Sequence, residues 1–225
     1  MVKLKLILKS QRFRLAFSTL IFFVTLAQFM RSGSLWWGVA YVLVAFFLYM
    51  RPIFNSSAVL PLFFGVLVMP FFFPPNLGII AAGLFSIALT FLFFATLGIK
   101  NLILINRAAW REGSAYFFSY IVFLLFFMQA VSAHFWIIWL WAALSVFLAL
   151  CLLMRDYRRA LPCTAFMGEL IWVASWLPIG FLGLANLCFA FLLFMGDAMA
   201  ENRISIRKMV IFIVLIFVIF ASSYL

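Results

Sequence analysis

Acidic side chains are almost missing from this sequence: five Asp and Glu stand against sixteen Lys and Arg, with a single histidine. So few carboxylates and imidazoles leave little from which to build a protein-held metal site or a paired-carboxylate acid–base centre. The three cysteines, Cys151, Cys163 and Cys188, show neither the close spacing of a metal knuckle nor the pairing of a disulfide framework. No metal and no cofactor is expected. No Gly-x-Ser-x-Gly elbow and no phosphate-cradling glycine loop occurs, and no lysine lies within an apolar run to serve a serine as base.

Charge of either sign is scarce as well. Only 9% of the residues are charged and 69% are apolar, against about 25% and roughly 45–50% in soluble domains. A soluble globule of this size could not cover its surface with so few polar groups, so lipid is the outer solvent. The net charge of +11 would suggest nucleic acid in a soluble protein. Here the basic residues fall in short clusters between apolar runs, as the positive-inside bias of membrane insertion places them, and nucleic-acid binding is not expected.

A spanning helix needs roughly 20 apolar residues to cross about 30 Å of hydrocarbon. Apolar segments occupy 13–30, 35–50, 58–73, 77–97, 115–131, 135–154, 163–177, 180–195 and 209–224, which gives nine. Arg51-Pro52, Pro74-Pro75-Asn76 and Leu161-Pro162 read as boundaries, because proline lacks an amide donor and disfavours helix in the residue before it. The stretch 163–195 divides at Pro178 and Gly180 into a short seventh and a short eighth segment, either two crossings or a re-entrant hairpin. The expected fold is therefore all-α, a polytopic bundle forming one integral membrane domain over 1–225. A basic cytoplasmic segment, 1–12, precedes the first span, which reads as an uncleaved signal anchor since 25–29 holds no small-x-small cleavage motif. With nine crossings, fifteen of the sixteen basic residues lie on the cytoplasmic side, Arg31 being the exception, and the C-terminus lies outside. The expected location is a bacterial or archaeal plasma membrane.

Trp36, Trp37, Trp136, Trp139 and Trp176 then fall near the outer boundary as an anchoring belt. In the fourth segment Gly78, Ala82, Ser86 and Thr90 recur every fourth residue, a stripe of small side chains that another helix, from this chain or from a membrane partner, can approach closely. Residues 98–114 mix apolar and basic side chains and read as a cytoplasmic amphipathic connector, a helix resting on the headgroups or an extension of the fourth span. Lys100, Arg107, Arg155, Arg158 and Arg159 are candidate contacts for anionic lipid headgroups, as is the basic N-terminus.

Four of the acids, Glu112, Asp156, Asp197 and Glu201, stand in loops beside basic residues, where solvated ion pairing accounts for them. Glu169 alone lies inside an apolar segment, with Trp172 and Trp176 further along the same face. Ionisable groups in a span are costly and usually functional. Glu169, Trp172 and Asn186 are thus the candidate proton, ion or substrate site, against the plainer reading in which Glu169 reaches the inner face and pairs with Arg158 or Arg159. The function this favours is a scaffold, accessory subunit or assembly factor without catalytic apparatus. A transporter of a proton, small ion or lipid-like molecule centred on Glu169 is the first alternative. An intramembrane enzyme acting on a lipid or polyprenyl substrate is the second, and it requires Cys163, Glu169 and the arginines of 155–159 to converge; a Cys163–His134 pair is disfavoured, since the two fall at opposite faces of the membrane. Engineered cysteines beside Arg158 and beside Arg207 should both resist an impermeant thiol reagent added to intact cells; labelling of one and not the other would refute the nine-segment arrangement.

Overall fold

The computed structural model of the protein describes residues 2–50, 59–72, 78–101, 103–129, 135–154, 157–201 and 206–223; side chains are not described for residues 2–10, 199–201, 222 and 223. The boundary prolines 52, 74 and 75, and with them Arg51, Asn76, His134, Arg155 and Asp156, lie outside these ranges. Among the described residues the chain is helical with no strand, and it forms nine α-helices. They are α1 (Val2–Ser32), α2 (Leu35–Met50), α3 (Leu60–Val68), α4 (Ile79–Lys100), α5 (Arg107–Gln129), α6 (Phe135–Met154), α7 (Tyr157–Ala174), α8 (Phe181–Glu201) and α9 (Ile206–Ser223). Each apolar segment of the sequence overlaps one of them, because in hydrocarbon a helix alone satisfies its own backbone amides and carbonyls. Five stretches, Gln11–Ser32, Ile79–Lys100, Arg107–Gln129, Phe135–Met154 and Phe181–Ala198, are long and apolar enough to cross a membrane. The protein is an integral membrane helical bundle.

Two compact units divide the chain, Met1–Ser114 and Ala115–Leu225. In the first, α4 and α2 pack on α1 and α3 packs on α4. Gly33 closes α1 in the left-handed conformation (φ 60°), its amide bonded to the Phe29 carbonyl, so that α2 starts two residues later and folds straight back. A chain of rings runs through the unit. Phe71 meets Phe29 at 5.1 Å, Phe29 meets Tyr41 at 6.0 Å and Tyr41 meets Phe22 at 5.4 Å; Phe22 and Phe93 stack at 3.9 Å, as do Phe63 and Tyr49. Since lipid is as apolar as these side chains, their close packing, more than their removal from water, holds the helices together.

α3 shows how the fold handles a broken ladder. It gives way to a 3₁₀ turn, Met69–Phe72, in which Pro70 stands four residues after Val66 and has no amide to offer the Val66 carbonyl. The fully buried Tyr41 hydroxyl donates to that carbonyl instead, at 2.9 Å.

In the second unit α6 and α7 form an antiparallel pair, pinned where Trp139 Nε1 donates to the Gly168 carbonyl at 3.0 Å. α7 does not begin at Pro162. It starts at Tyr157 and carries Pro162 within it. The missing amide costs only the bond to the Arg158 carbonyl, and Arg158 is exposed in the first turn, where headgroups or water can accept the loss. Its 18 residues span roughly 27 Å at 1.5 Å per residue. The turn at 175–180 then separates α7 from α8, with Ser175, Trp176 and Leu177 amides bonded back to 171–174. α8 and α9 share a cluster of Leu187, Ala190 and Ile219, flanked by Phe191 and Phe212.

The 98–114 connector is not one amphipathic helix. Its first three residues finish α4, a tight turn follows in which the Gly98 carbonyl accepts from the amides of Ile103 and Leu104, and α5 opens at Arg107 after Asn106 in the left-handed conformation (φ 63°). Gly98 lets the Leu104 side chain lie against the backbone there: a Cβ would stand 2.7 Å from Leu104 Cδ1 and would have to displace it.

Tyr41→Phe should lower stability by about 1–2 kcal/mol, the cost of stranding a buried carbonyl. Adding Pro70→Ala, which returns an amide within reach of Val66, should recover part of the loss. Thermal unfolding of the two variants in detergent measures both effects.

Candidate functional site

Glu169 is the thirteenth residue of α7, so it lies roughly 18 Å along the helix from Tyr157. Gly168, its neighbour, is level with Trp139. Glu169 therefore sits toward the tryptophan-bearing end of the α6–α7 pair, away from the basic end. Its expected pairing with Arg158 or Arg159 does not form, because ten or eleven residues separate them along one rod, about 15 Å. Nor does it face the interior. Glu169 is exposed, in a stripe with Phe166, Trp172, Val173 and Trp176, while Cys163, Met167, Ile171 and Ala174 form the buried face of the same helix.

The other candidates are dispersed. Glu169 and Trp172, three residues apart, share a face. Asn186 belongs elsewhere: its Oδ1 accepts from the Tyr120 hydroxyl at 2.9 Å, a bond between α8 and α5. Cys163 is buried and Glu169 exposed, six residues apart on opposite sides of α7, so the two do not converge. Cys151, Cys163 and Cys188 are free thiols. Arg158 is exposed with its guanidinium 5.8 Å from the Tyr157 ring, and Arg159 and Arg107 are exposed at the starts of α7 and α5. Of the acids, Asp197 of α8 pairs with Lys208 of α9 at 3.2 Å. The small-residue stripe of α4 is exposed at Gly78 but buried at Ser86, and the hydroxyls of Ser86 and Thr90 bond back to the carbonyls of Ala82 and Ser86.

Lys100 is turned into the protein and does not present its ammonium at the surface. It is 3% exposed, its ammonium donates to the Tyr49 carbonyl and stands 4.2 Å over the Tyr49 ring. Tyr49 is the last but one residue of α2, whose final carbonyls have no helical donor. A cation placed there satisfies a carbonyl and opposes the negative end of the helix dipole. The lysine that ends α4 thus caps α2, and the two helices run parallel and end together.

Beside this cap the structure opens a cleft of about 90 Å³ that sequence reading did not single out. Gln11, Arg14 and Ser18 of α1 line it with Asn101 just past α4, over a floor that includes Leu48 and Leu97. The spacing 11, 14, 18 puts the three polar side chains on one helical face. That spacing is the signal the sequence held, although it lies in a basic stretch where every residue looks surface-bound. Asn101 Oδ1 is buried without a hydrogen-bond partner among the described residues.

No family model, no curated protein and no solved structure matches this chain.

Lys100→Met should cost on the order of 2 kcal/mol, since it strands a carbonyl and removes a buried cation from a helix C-terminus, whereas Lys100→Arg should retain much of that. Denaturation midpoints in a fixed detergent compare the three proteins, and an unchanged midpoint for Lys100→Met would count against the cap.

Proposed function

We propose that this protein is a non-catalytic subunit or assembly factor of a membrane complex, and that it docks its partner on the surface formed by Phe166, Glu169, Trp172 and Val173 of α7 and by Trp176 in the turn that follows. One observation carries the reading. A carboxylate a turn and a half from the end of an apolar helix faces outward, with no hydrogen bond or ion pair among the described residues. Acids in spans ordinarily face a bundle interior or a polar cavity, because hydrocarbon penalises the charge and supplies no donor. An outward carboxylate flanked by tryptophans is relieved by a partner helix that brings a donor or a cation, and polar groups act as such specific adhesives between membrane helices.

The rest of the second unit fits this division of labour. Two of its side-chain bonds hold helices together, Tyr120 with Asn186 and Trp139 with Gly168, while the buried Ser119 hydroxyl bonds within its own helix to Ala115.

A photoreactive amino acid at position 172, introduced in native membranes, should yield a discrete protein adduct that Glu169→Leu abolishes and Glu169→Gln weakens, while the same probe at Trp136 should not. Adducts to lipid alone at position 172 would overturn the docking reading. Proton or cation flux in reconstituted vesicles that is lost in Glu169→Gln would overturn it in favour of transport.

A further inference from the structure

We infer that the first unit binds one anionic glycerophospholipid, its headgroup in the Gln11, Arg14, Ser18 and Asn101 cleft and an acyl chain in the groove that continues from it between α1 and α2. Two recesses of opposite character meet at Leu48. The first is the polar cleft of about 90 Å³ at the basic end, room for about three water-sized groups and hence for a phosphate with little more. The second is a groove of about 730 Å³ lined by Ile21 of α1 and by 43–44, 46–48 and 50 of α2, with no polar side chain among its lining residues. Leu48 belongs to both.

Their order along α1 is what makes them one site. Gln11, Arg14, Ser18 and Ile21 recur at three- and four-residue steps and so lie along one stripe. Ile21 is seven residues beyond Arg14, about 10 Å deeper along the axis. A molecule following that stripe meets a guanidinium, an amide and a hydroxyl, then only hydrocarbon. That is the profile of a phospholipid crossing from headgroup to acyl chain.

The chemistry of the cleft selects the headgroup. No acidic residue lines it, and Arg14 has no counter-ion among the described residues, so a phosphate oxygen can accept from its guanidinium with a short charge-assisted bond. Lys100, next along the chain, does not compete, since its ammonium is held by Tyr49. Asn101 Oδ1 is the remaining unmet group, and it requires a donor. A glycerol headgroup such as that of phosphatidylglycerol supplies a hydroxyl beside its phosphate, whereas a choline headgroup has no hydrogen to give. Buried polar groups left unpaired in a folded chain call for such an occupant.

The test uses the full chain, purified in detergent, stripped of lipid and titrated with phosphatidylglycerol, phosphatidylcholine or inorganic phosphate, with bound lipid counted by native mass spectrometry. One phosphatidylglycerol should bind per chain, about tenfold more tightly than phosphatidylcholine. Arg14→Gln should weaken it by about tenfold, the loss of one charge-assisted contact. Arg12→Gln removes the same charge from an exposed neighbour that does not line the cleft, and it should leave binding unchanged. Val44→Trp, which fills the groove from a lipid-facing helix, should displace the lipid without touching the headgroup site. Equal losses in Arg12→Gln and Arg14→Gln would mean diffuse charge attraction and overturn the site. Inorganic phosphate competing at millimolar concentration, with Val44→Trp without effect, would leave a phosphate cleft and overturn the lipid assignment. Equal affinity for phosphatidylcholine would overturn the role given to Asn101.

Discussion

Hydrocarbon offers no hydrogen bonds, so every backbone carbonyl and amide that leaves a helical ladder inside the membrane must find a partner within the protein. The architecture of the first unit is organised around the places where that happens. Pro70 withholds an amide from Val66, and Tyr41 reaches across from α2 to replace it. α2 ends without donors for its last carbonyls, and Lys100 reaches from the end of α4. Each repair ties two helices together at one defined register. Apolar packing alone would set that register loosely, because leucine and phenylalanine lose little by facing lipid instead of one another.

The same constraint separates structural polar groups from functional ones. Within the spans most side-chain donors bond locally: Thr19, Thr25, Ser86, Thr90, Thr96, Ser119 and Thr164 donate to carbonyls three or four residues back. Tyr120, Asn186 and Trp139 are spent on contacts between helices. Besides the buried Ser114 hydroxyl, which has no partner among the described residues, two places stand outside this economy, the outward carboxylate of Glu169 and the Arg14–Asn101 cleft. They lie in different units and differ in chemistry. Glu169 presents a lone acceptor on an apolar surface, which suits another helix. The cleft presents a cation, an amide pair and a hydroxyl above an apolar groove, which suits a lipid.

The bundle was legible in the sequence because hydrophobicity over twenty residues is a strong signal and because lipid admits few alternatives to the helix. The division of 163–195 at Pro178 was legible for the same reason. What was not legible was helix extent at the membrane boundary. Tyr157, Arg158 and Arg159 look like loop by composition, yet arginine and alanine are good helix formers and a proline early in a helix breaks little that solvent cannot repair. Starting α7 six residues earlier moves Glu169 from the basic end to the tryptophan end, and with it the choice of partners. The contact of Lys100 with Tyr49 was hidden for a related reason. Charge at the end of a span is read as an interfacial anchor, and only tertiary structure shows that another helix ends beside it.

α1 shows why sequence reading marks its basic start only as a general headgroup contact and not as one wall of a defined lipid site. The usual search for a lipid-binding helix looks for amphipathicity around the helix, polar on one side and apolar on the other. α1 changes character along its axis instead: on a single stripe Gln11, Arg14 and Ser18, which line the cleft, give way to Ile21, which borders a groove whose other lining residues, all in α2, are wholly apolar. A gradient of this kind is what any inserted helix with a basic start displays, so the pattern carries no information until a second helix leaves the stripe uncovered. The unpartnered Asn101 oxygen adds the missing half of the argument. It lies some eighty residues away in the chain, and it converts an ordinary membrane gradient into a site with a defined complement of donors and acceptors.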